Sequence, residues 1–556
     1  MDNHSIADIF SLLSKLSDIH GENSFKVKSY SSAAFTIERL TMQLADIEID
    51  KIYSIKGIGE NTGNKIIEII TTGQLKQLVE LIEKTPKGII EMMGIKGIGP
   101  KKISTIWKEL EIETLGELLY ACNENRLTLY KGFGEKTQNN IKDAIEFYLS
   151  NQGNFLYAQI ENYVSSFEEK LKNNFPKNNF LITGKYRRQC EIIESIEWVT
   201  DCEKNILSAF LLSHQFNKLE ENDKKMTFKG EENILIEFYF STSEELFSTL
   251  FKTSCSNLFF ENWSKKYLTP IKINSEEEIF SFQNIPFIPS YLREDNFDFK
   301  RINSFSSQKI ISVKDIFGII HSHSTWSDGS NSIDEMVNAA KEKNFQYLVI
   351  SDHSKTAFYA QGLKEEQIVA QHKLIDELNE KFKPFKIFKS IESDILNDGS
   401  LDYSINVLKT FDIVIASIHS NLKMTEEKAM MRLLNAIENP YTSILGHMTG
   451  RLLLSRNGYP VDYKKIIDAC AANKVAIELN AHPRRLDIDW REIHYALDKG
   501  VLISINPDAH SIDGFDDVKY GVLVAQKAGV TIQQNLSCYN LQDFEKFVAE
   551  QKKKRH

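Results

Sequence analysis

The stretch IIHSHSTWSDGSNSIDEM (319–336) opens on an apolar pair, places His321 and His323 two residues apart, and reaches Asp328 at an Asp-Gly-Ser helix-start signal. In an extended strand, residues two apart face the same side, so both imidazoles point one way. The pattern recurs down the chain. YLVISDHS (347–354) is an apolar strand ending in His353, and KSIESDILNDGSLDY (389–403) supplies Glu392. IVIASIHSNL (413–422) ends in His419, ILGHMTGRLL (444–453) carries His447, and LISINPDAHS (502–511) ends in Asp508 and His510. These apolar runs alternate with helical stretches between 318 and 530, which predicts repeated βα units and a parallel sheet or barrel. Each candidate falls at or just past the C-terminal end of a strand, where parallel barrels place their sites. A lone strand-end histidine is ordinarily a satisfied core residue. Six of the chain's 13 histidines share this one pattern, which that reading does not explain. Imidazole and carboxylate ligands without thiolate suit Zn²⁺, Mn²⁺ or Fe²⁺ rather than Ca²⁺ or Mg²⁺ alone.

Position by position, the nine residues resemble the metal-ligand set of the PHP (polymerase and histidinol phosphatase) domain, over about residues 315–540. The resemblance implies a distorted βα barrel, three ions (Mn²⁺ and/or Zn²⁺) and hydrolysis of a phosphate ester, with Asp328, His353 and Glu392 at the reacting centre. Arg451 in GHMTGRL and Arg485 in HPRRLD are candidates to hold a substrate phosphate, because a guanidinium fork matches it. Either could equally partner an acidic ligand. His482 stands where that family usually has asparagine and is read as near the site without being a ligand. His372 and His494 lie on helical patterns and read as surface.

Upstream, FLITGKYRRQCEIIESIEWVT (180–200) reads as strand, glycine turn, paired arginines and a second strand. It resembles the GS-x-RR…D-x-D signature of family X DNA polymerases. GENSFKVKSYSSAAFTIERL (21–40) and FIPSYLREDNFDF (287–299) resemble that family's N-terminal domain and thumb end. The resemblance implies an α+β nucleotidyltransferase-like palm and thumb, but the carboxylates depart from the pattern. Asp-x-Asp is replaced by Ser195-Ile196-Glu197, the third aspartate falls at Glu237, the serine of the GS turn is Lys185, and the sugar-gripping segment becomes FKTSCS (251–256). Two-metal phosphoryl transfer needs clustered carboxylates, so the expectation is a folded palm without useful polymerase activity and without Mg²⁺. Arg187 and Arg188 remain as phosphate contacts. The alternative, a metal site rebuilt from Glu191, Glu194, Glu197 and Glu237, predicts nucleotide incorporation.

Further upstream one signature recurs three times: IKGIGENTGNKIIEII (55–70), IKGIGPKKISTIWKEL (95–110) and YKGFGEKTQNNIKDAI (130–145). Gly57/Gly59, Gly97/Gly99 and Gly132/Gly134 each precede an amphipathic helix. Such a turn aims backbone N–H groups and the positive end of the helix dipole at an anion, most naturally a backbone phosphate. One copy would simply close a hairpin, but three copies favour phosphate binding, assisted by Lys101 and Lys102. The pattern resembles the helix-hairpin-helix motif of DNA-binding proteins. Lys65 resembles the lysine with which animal members of family X form an imine to a baseless sugar. A lysine on a helix face is ordinarily solvated, and lyase chemistry is the alternative reading.

The chain thus resembles the bacterial fusions of a family X polymerase core to a PHP domain. The expected boundaries are 1–80 and 81–150 (helix-hairpin-helix), 151–240 (degenerate palm), 241–304 (thumb-like), 305–316 (linker) and 317–556 (PHP). The implied function is a DNA 3′→5′ exonuclease or related repair phosphodiesterase acting on gapped, nicked or single-stranded 3′ ends. The rivals are an active gap-filling polymerase with proofreading, a small-molecule phosphatase of the histidinol phosphatase kind, and a non-enzymatic DNA-binding module.

The bulk charge argues the other way. Over 556 residues the net charge is -10 and the pI about 5.8. Residues 1–150 carry 18 Lys+Arg against 21 Asp+Glu, a net of -3. Directed amides do not enter such a sum, so weak DNA binding with a modest salt slope is expected. Six scattered cysteines without a CxxC pair, no signal peptide and no apolar run of membrane-spanning length fit a cytoplasmic protein. The KKKR run at 552–555 reads as a solvated tail.

Overall fold

The computed structural model describes residues 3–38, 40, 42–95, 97–150, 153–230, 233–304 and 309–555. The first four residues of the expected linker, 305–308, lie outside that set. The chain divides into two compact units, residues 1–123 with 127–148, and residues 124–126 with 149–556.

The first unit is helical throughout its regular structure. Each of the three glycine signatures forms the same turn. Gly57, Gly97 and Gly132 have φ of +94°, +94° and +96°, a conformation that only glycine adopts without strain. Helices Glu60–Thr72, Pro100–Lys108 and Glu135–Ser150 begin directly after the second glycine of each pair. The residue between the glycines points inward: Ile58, Ile98 and Phe133 are buried. A side chain on Gly59, Gly97, Gly99, Gly132 or Gly134 would meet nothing within 4 Å. The apolar anchor therefore fixes each loop while its glycine backbone stays open to approach.

The second unit begins with strands β1 (Phe155–Leu156), β2 (Phe180–Thr183), β3 (Ile192–Ile193), β4 (Ser195–Thr200), β5 (Asn217–Glu221), β6 (Lys225–Lys229) and β7 (Leu235–Phe240). Five of them form a sheet in the order β2-β4-β7-β6-β5, in which only β4 and β7 run parallel. Along β4, Ile196 and Trp198 are buried in an aromatic core with Phe167, Phe228 and Phe238. Strand alternation turns Ser195 and Glu197 to the opposite face. Helices Leu246–Thr253, Asn257–Ser264 and Glu277–Ser281 follow, packed around Phe251, Phe259, Trp263 and Phe280.

Seven parallel strands then form one sheet in sequence order: β8 (Gly318–Ile319), β9 (Tyr347–Ile350), β10 (Lys386–Asp394), β11 (Ile413–Ser417), β12 (Ile444–Leu445), β13 (Ala476–Asn480) and β14 (Ile503–Asn506). Their apolar runs are buried on both faces, as parallel sheets covered by helices require. Just beyond β8 and β14, Ser322 and Ala509 bridge in parallel, with His323 N donating to Ala509 O at 2.9 Å. The sheet is therefore a nearly closed barrel.

Two sequence expectations are corrected here. The 552–555 run is docked rather than solvated. Lys552 pairs with Asp412 at 2.6 Å, Lys554 donates to the carbonyls of Thr442 and Asn473, and Arg555 donates to those of Phe411 and Asp412. His372 is half-buried, with its ring edge-on to Phe411 at 4.9 Å, and burial lowers its pKa to about 4.

Candidate metal centre

The barrel's curl brings the strand ends together. His321, with φ +65°, and Asp508, with φ +53°, both hold the left-handed backbone at the seam where β8 and β14 meet. Non-glycine residues keep this conformation only where their surroundings over-determine it. The nine predicted residues converge. Ligand atoms of His323, Asp328, His353 and His510 lie within 4.8 Å of one another, as do those of His321, His323, Glu392 and Asp508, and those of His353, Glu392 and His419. Glu392 is the hub. Its Oε1 is 2.9 Å from His447 Nε2, 3.1 Å from His419 Nε2 and 3.3 Å from His321 Nε2, and its Oε2 is 2.9 Å from His353 Nδ1. Asp508 Oδ1 lies 3.0 Å from His323 Nε2 and 3.3 Å from His321 Nε2.

Many of these buried atoms lack a hydrogen-bond partner: His321 Nε2, both oxygens of Asp328, both nitrogens of His353, Glu392 Oε2, His447 Nδ1 and His510 Nε2. An unsatisfied buried polar atom costs about 1–3 kcal/mol. Converging imidazoles and carboxylates with unmatched buried atoms are what a set of divalent cations would satisfy, so the residues present fit metal ions. Burial opposes protonation of His321, His419 and His510, yet the neighbouring carboxylates raise all three, the last two to about 10, so protons hold places that cations would take. Burial opposes ionisation of Glu392, yet His419, His321 and His353 hold its pKa well below the carboxylate range. Burial, with His510 and His353 close by, depresses His323 to about 3, leaving a neutral imidazole with lone pairs to offer.

A second set of residues holds the first, and sequence reading missed it. His321 Nδ1 lies 2.7 Å from Glu478 Oε2, and the other Glu478 oxygen accepts from His447 N at 3.0 Å. His419 Nδ1 lies 2.5 Å from Asp394 Oδ1. Asp352 accepts from Ser324, Ser327 and Gln371, fixing the loop that carries His323 and Asp328. Glu478 in VAIELN and Asp394 in ESD stand out only as acidic residues inside apolar strands. His482 accepts from Arg484 N at 3.2 Å and enters none of the three groups.

Arg451 takes the second of its two readings, as a partner of acidic residues. Its Nε donates to Arg485 O at 3.0 Å, its Nη1 to Asp489 at 2.8 Å, and its Nη2 to Glu191 at 2.5 Å and to Leu486 O. Every nitrogen of the guanidinium is engaged within the protein. Arg485 Nε lies 3.8 Å from Asp508 Oδ2.

In the palm-like region the cations read as phosphate contacts are each paired with carboxylate. Lys185 holds Glu194 at 2.6 Å, Arg187 grips Glu276 at 2.7 and 3.0 Å, and Arg188 meets Glu294 at 3.1 Å. Glu197 and Glu237 are register neighbours on β4 and β7, but Glu237 pairs with Lys225 at 2.8 Å. The Glu197 carboxylate folds over Gly184, and a Cβ there would meet it at 2.0 Å. Burial and the Glu237 charge raise its pKa. Ser195 adds no charge. Among the described residues the three converging ligand groups all lie in the barrel, and Glu191, Glu194, Glu197 and Glu237 form none.

In the first unit, Lys101 is exposed and Lys102 lies over the Phe133 ring at 5.7 Å. Lys65 departs from the solvated reading. It is half-buried, donates to Gln77 Oε1 at 2.7 Å and sits 5.8 Å from the Tyr30 ring, and burial lowers its pKa.

The folds of the two units, with a carboxylate–imidazole cluster at the barrel mouth, define a helix-hairpin-helix protein carrying a PHP-type phosphoesterase domain. Family models match accordingly: a helix-hairpin-helix domain over residues 1–75, a SAM-like helix-hairpin-helix tandem over 89–146 and a PHP domain over 320–482. The DNA polymerase/3′-5′ exonuclease PolX of Bacillus subtilis (strain 168) is 32% identical across 97% of this chain and 99% of its own length. The chain belongs to that PolX family. Probable phosphatases of Thermoanaerobacter sp. (strain X514) and Shewanella piezotolerans are 28% and 25% identical, over 38% and 39% of this chain and 86% and 87% of theirs. Family and PHP domain together make the chain an enzyme of the nuclease or phosphoesterase kind, with DNA as its partner through the hairpins. Among the described residues no helix is long and apolar enough to cross a membrane.

Proposed function

We propose that the barrel domain is a metal-dependent DNA 3′→5′ exonuclease and that the palm-like region has lost nucleotidyl transfer. The observation that carries this reading is the contrast between the two sites. Nine converging residues at the barrel mouth leave lone pairs unmatched, while the palm carboxylates are each bound to a neighbouring cation or folded onto a turn. The ions would be Mn²⁺ and/or Zn²⁺, three in number, held by His321, His323, Asp328, His353, Glu392, His419, His447, Asp508 and His510. Bound divalent ions supply the Lewis acidity that activates water and neutralises the phosphodiester. The protein's own part is to hold neutral imidazoles and ionised carboxylates in place in a site that excludes most bulk water. The open glycine turns at Gly57/Gly59, Gly97/Gly99 and Gly132/Gly134, with Lys101 and Lys102, would hold the DNA backbone without reading its sequence.

The test compares substrates. With Mn²⁺, release of nucleotides from a labelled DNA 3′ end, abolished by His353→Ala, is expected to exceed release of phosphate from histidinol phosphate. The reverse preference would favour the small-molecule phosphatase reading, to which the probable phosphatases lend weight.

A second reading rests on Lys65. Its burial favours a neutral amine, which an imine-forming nucleophile needs. Borohydride trapping on abasic DNA is expected to give an adduct that Lys65→Ala removes, and an undiminished adduct would reject it.

A further inference from the structure

We propose that Glu191, in the palm-like region, is a positioning residue for the metal centre of the barrel, acting through Arg451. The two residues are 260 positions apart, and their carboxylate and guanidinium meet at 2.5 Å with little solvent exposure on either side. Arg451 follows His447 by four residues. Its other donors reach the loop after β13, at Arg485 O, Leu486 O and Asp489. That loop is not passive. Asp487 accepts from Thr449 N at 3.0 Å and Thr449 Oγ1 at 2.9 Å, two residues from His447. Its backbone returns to β13, where Asn480 N donates to Asp487 O and Ile488 N to Glu478 O. Arg485, on the same loop, faces Asp508. Leu486 holds φ +43°, a conformation that relaxes unless external bonds maintain it.

Arg451 therefore joins the loops bearing His447 and Arg485, and Glu191 balances its charge. Asp489 is shared with Arg491 at 2.9 Å. Without the Glu191 charge, two guanidiniums would compete for one carboxylate, and Arg451 would be drawn off the Leu486 carbonyl. The palm-like region would then serve the barrel as part of its scaffold after losing its own chemistry. A rigid second set of contacts is what a metal centre needs for its ligands to stay in register.

The inference rests on the reading of the nine residues as metal ligands, and the test separates the two. Mn²⁺ affinity and stoichiometry are measured by calorimetry on the full chain as wild type, Glu191→Gln, Arg451→Lys, the double variant, and Glu161→Gln. Glu161 makes a different polar contact with the barrel domain, to Lys519 at 2.5 Å and Tyr520 at 2.7 Å on helix Val518–Lys527, which bears none of the nine candidate ligands. Glu191→Gln and Arg451→Lys are each expected to weaken Mn²⁺ binding about tenfold. The double variant is expected to lose no more than either single one, because the residues act in series. Glu161→Gln is expected to bind as wild type. Equal losses in Glu161→Gln and Glu191→Gln, additive losses in the double variant, or unchanged binding in Glu191→Gln would overturn the inference. Absence of Mn²⁺ binding in the wild type would instead overturn the metal-centre reading.

Discussion

Ser322 and Ala509 pair in parallel across the gap between the first and last barrel strands, although 187 residues separate them (509 − 322). This bridge sets His-Ser-His (321–323) against Asp-Ala-His (508–510), so residues from opposite ends of the domain complete one cluster. Closure of the sheet and assembly of the site are the same event.

The carboxylate behind His321 is expected to govern metal affinity. Glu478 fixes which ring nitrogen of His321 faces the cluster and also receives His447 N. Glu478→Gln is expected to weaken Mn²⁺ binding by about 10–100-fold, measured by calorimetry. An unchanged isotherm would show that the ring is held by packing alone.

A buried ion cluster ties the palm-like region to the thumb-like segment that follows it. Arg293, with no exposed side-chain surface, and Arg187 share Glu276. Glu276→Gln leaves Arg293 buried without its counter-ion and is expected to cost about 3–5 kcal/mol of stability, read as a shift in urea midpoint. A shift equal to that of a surface substitution would contradict the cluster's role.

Asp517 makes stability depend on pH. Burial pushes its pKa up to about 7, against the pull of Lys519 and with help from Asp516 and Glu161. Between the ordinary carboxylate value and 7, the folded chain binds one more proton than the unfolded chain. Stability contributed here therefore falls as pH rises through that window. Asp517→Asn is expected to raise Tm more at pH 8 than at pH 5, and an equal change at both would refute the assignment.

DNA binding through the glycine turns should be blind to sequence. Lys101→Ala is expected to weaken binding equally on unrelated sequences and to lower the slope of log K against log salt by about 1. Fluorescence anisotropy across salt concentrations checks both, and a loss confined to one sequence would argue for base contacts.

The clustered residues are legible because all but Asp328, which sits in the turn region after β8, lie near or just past the end of an apolar strand, a local signal that repeats. The glycine turns were legible for the same reason. What the sequence hid is what depends on distance. Glu191 meets Arg451 across 260 residues, and Glu478 looks like any acidic residue in a strand until the barrel closes behind His321. The palm's missing aspartates are plain to read, but not that Glu276 and Glu294 pair with Arg187 and Arg188. The basic C-terminal run and Lys65 were misjudged as solvated because charge alone does not reveal the carbonyls and amide awaiting them.

Whether the barrel cuts DNA while the palm no longer extends it is tested most directly on 5′-labelled gapped DNA incubated with Mn²⁺, with and without deoxynucleoside triphosphates. A shortening ladder from the 3′ end under both conditions, absent in His353→Ala, is the predicted result. Extension products that persist in His321→Ala and vanish in Glu197→Ala would contradict it.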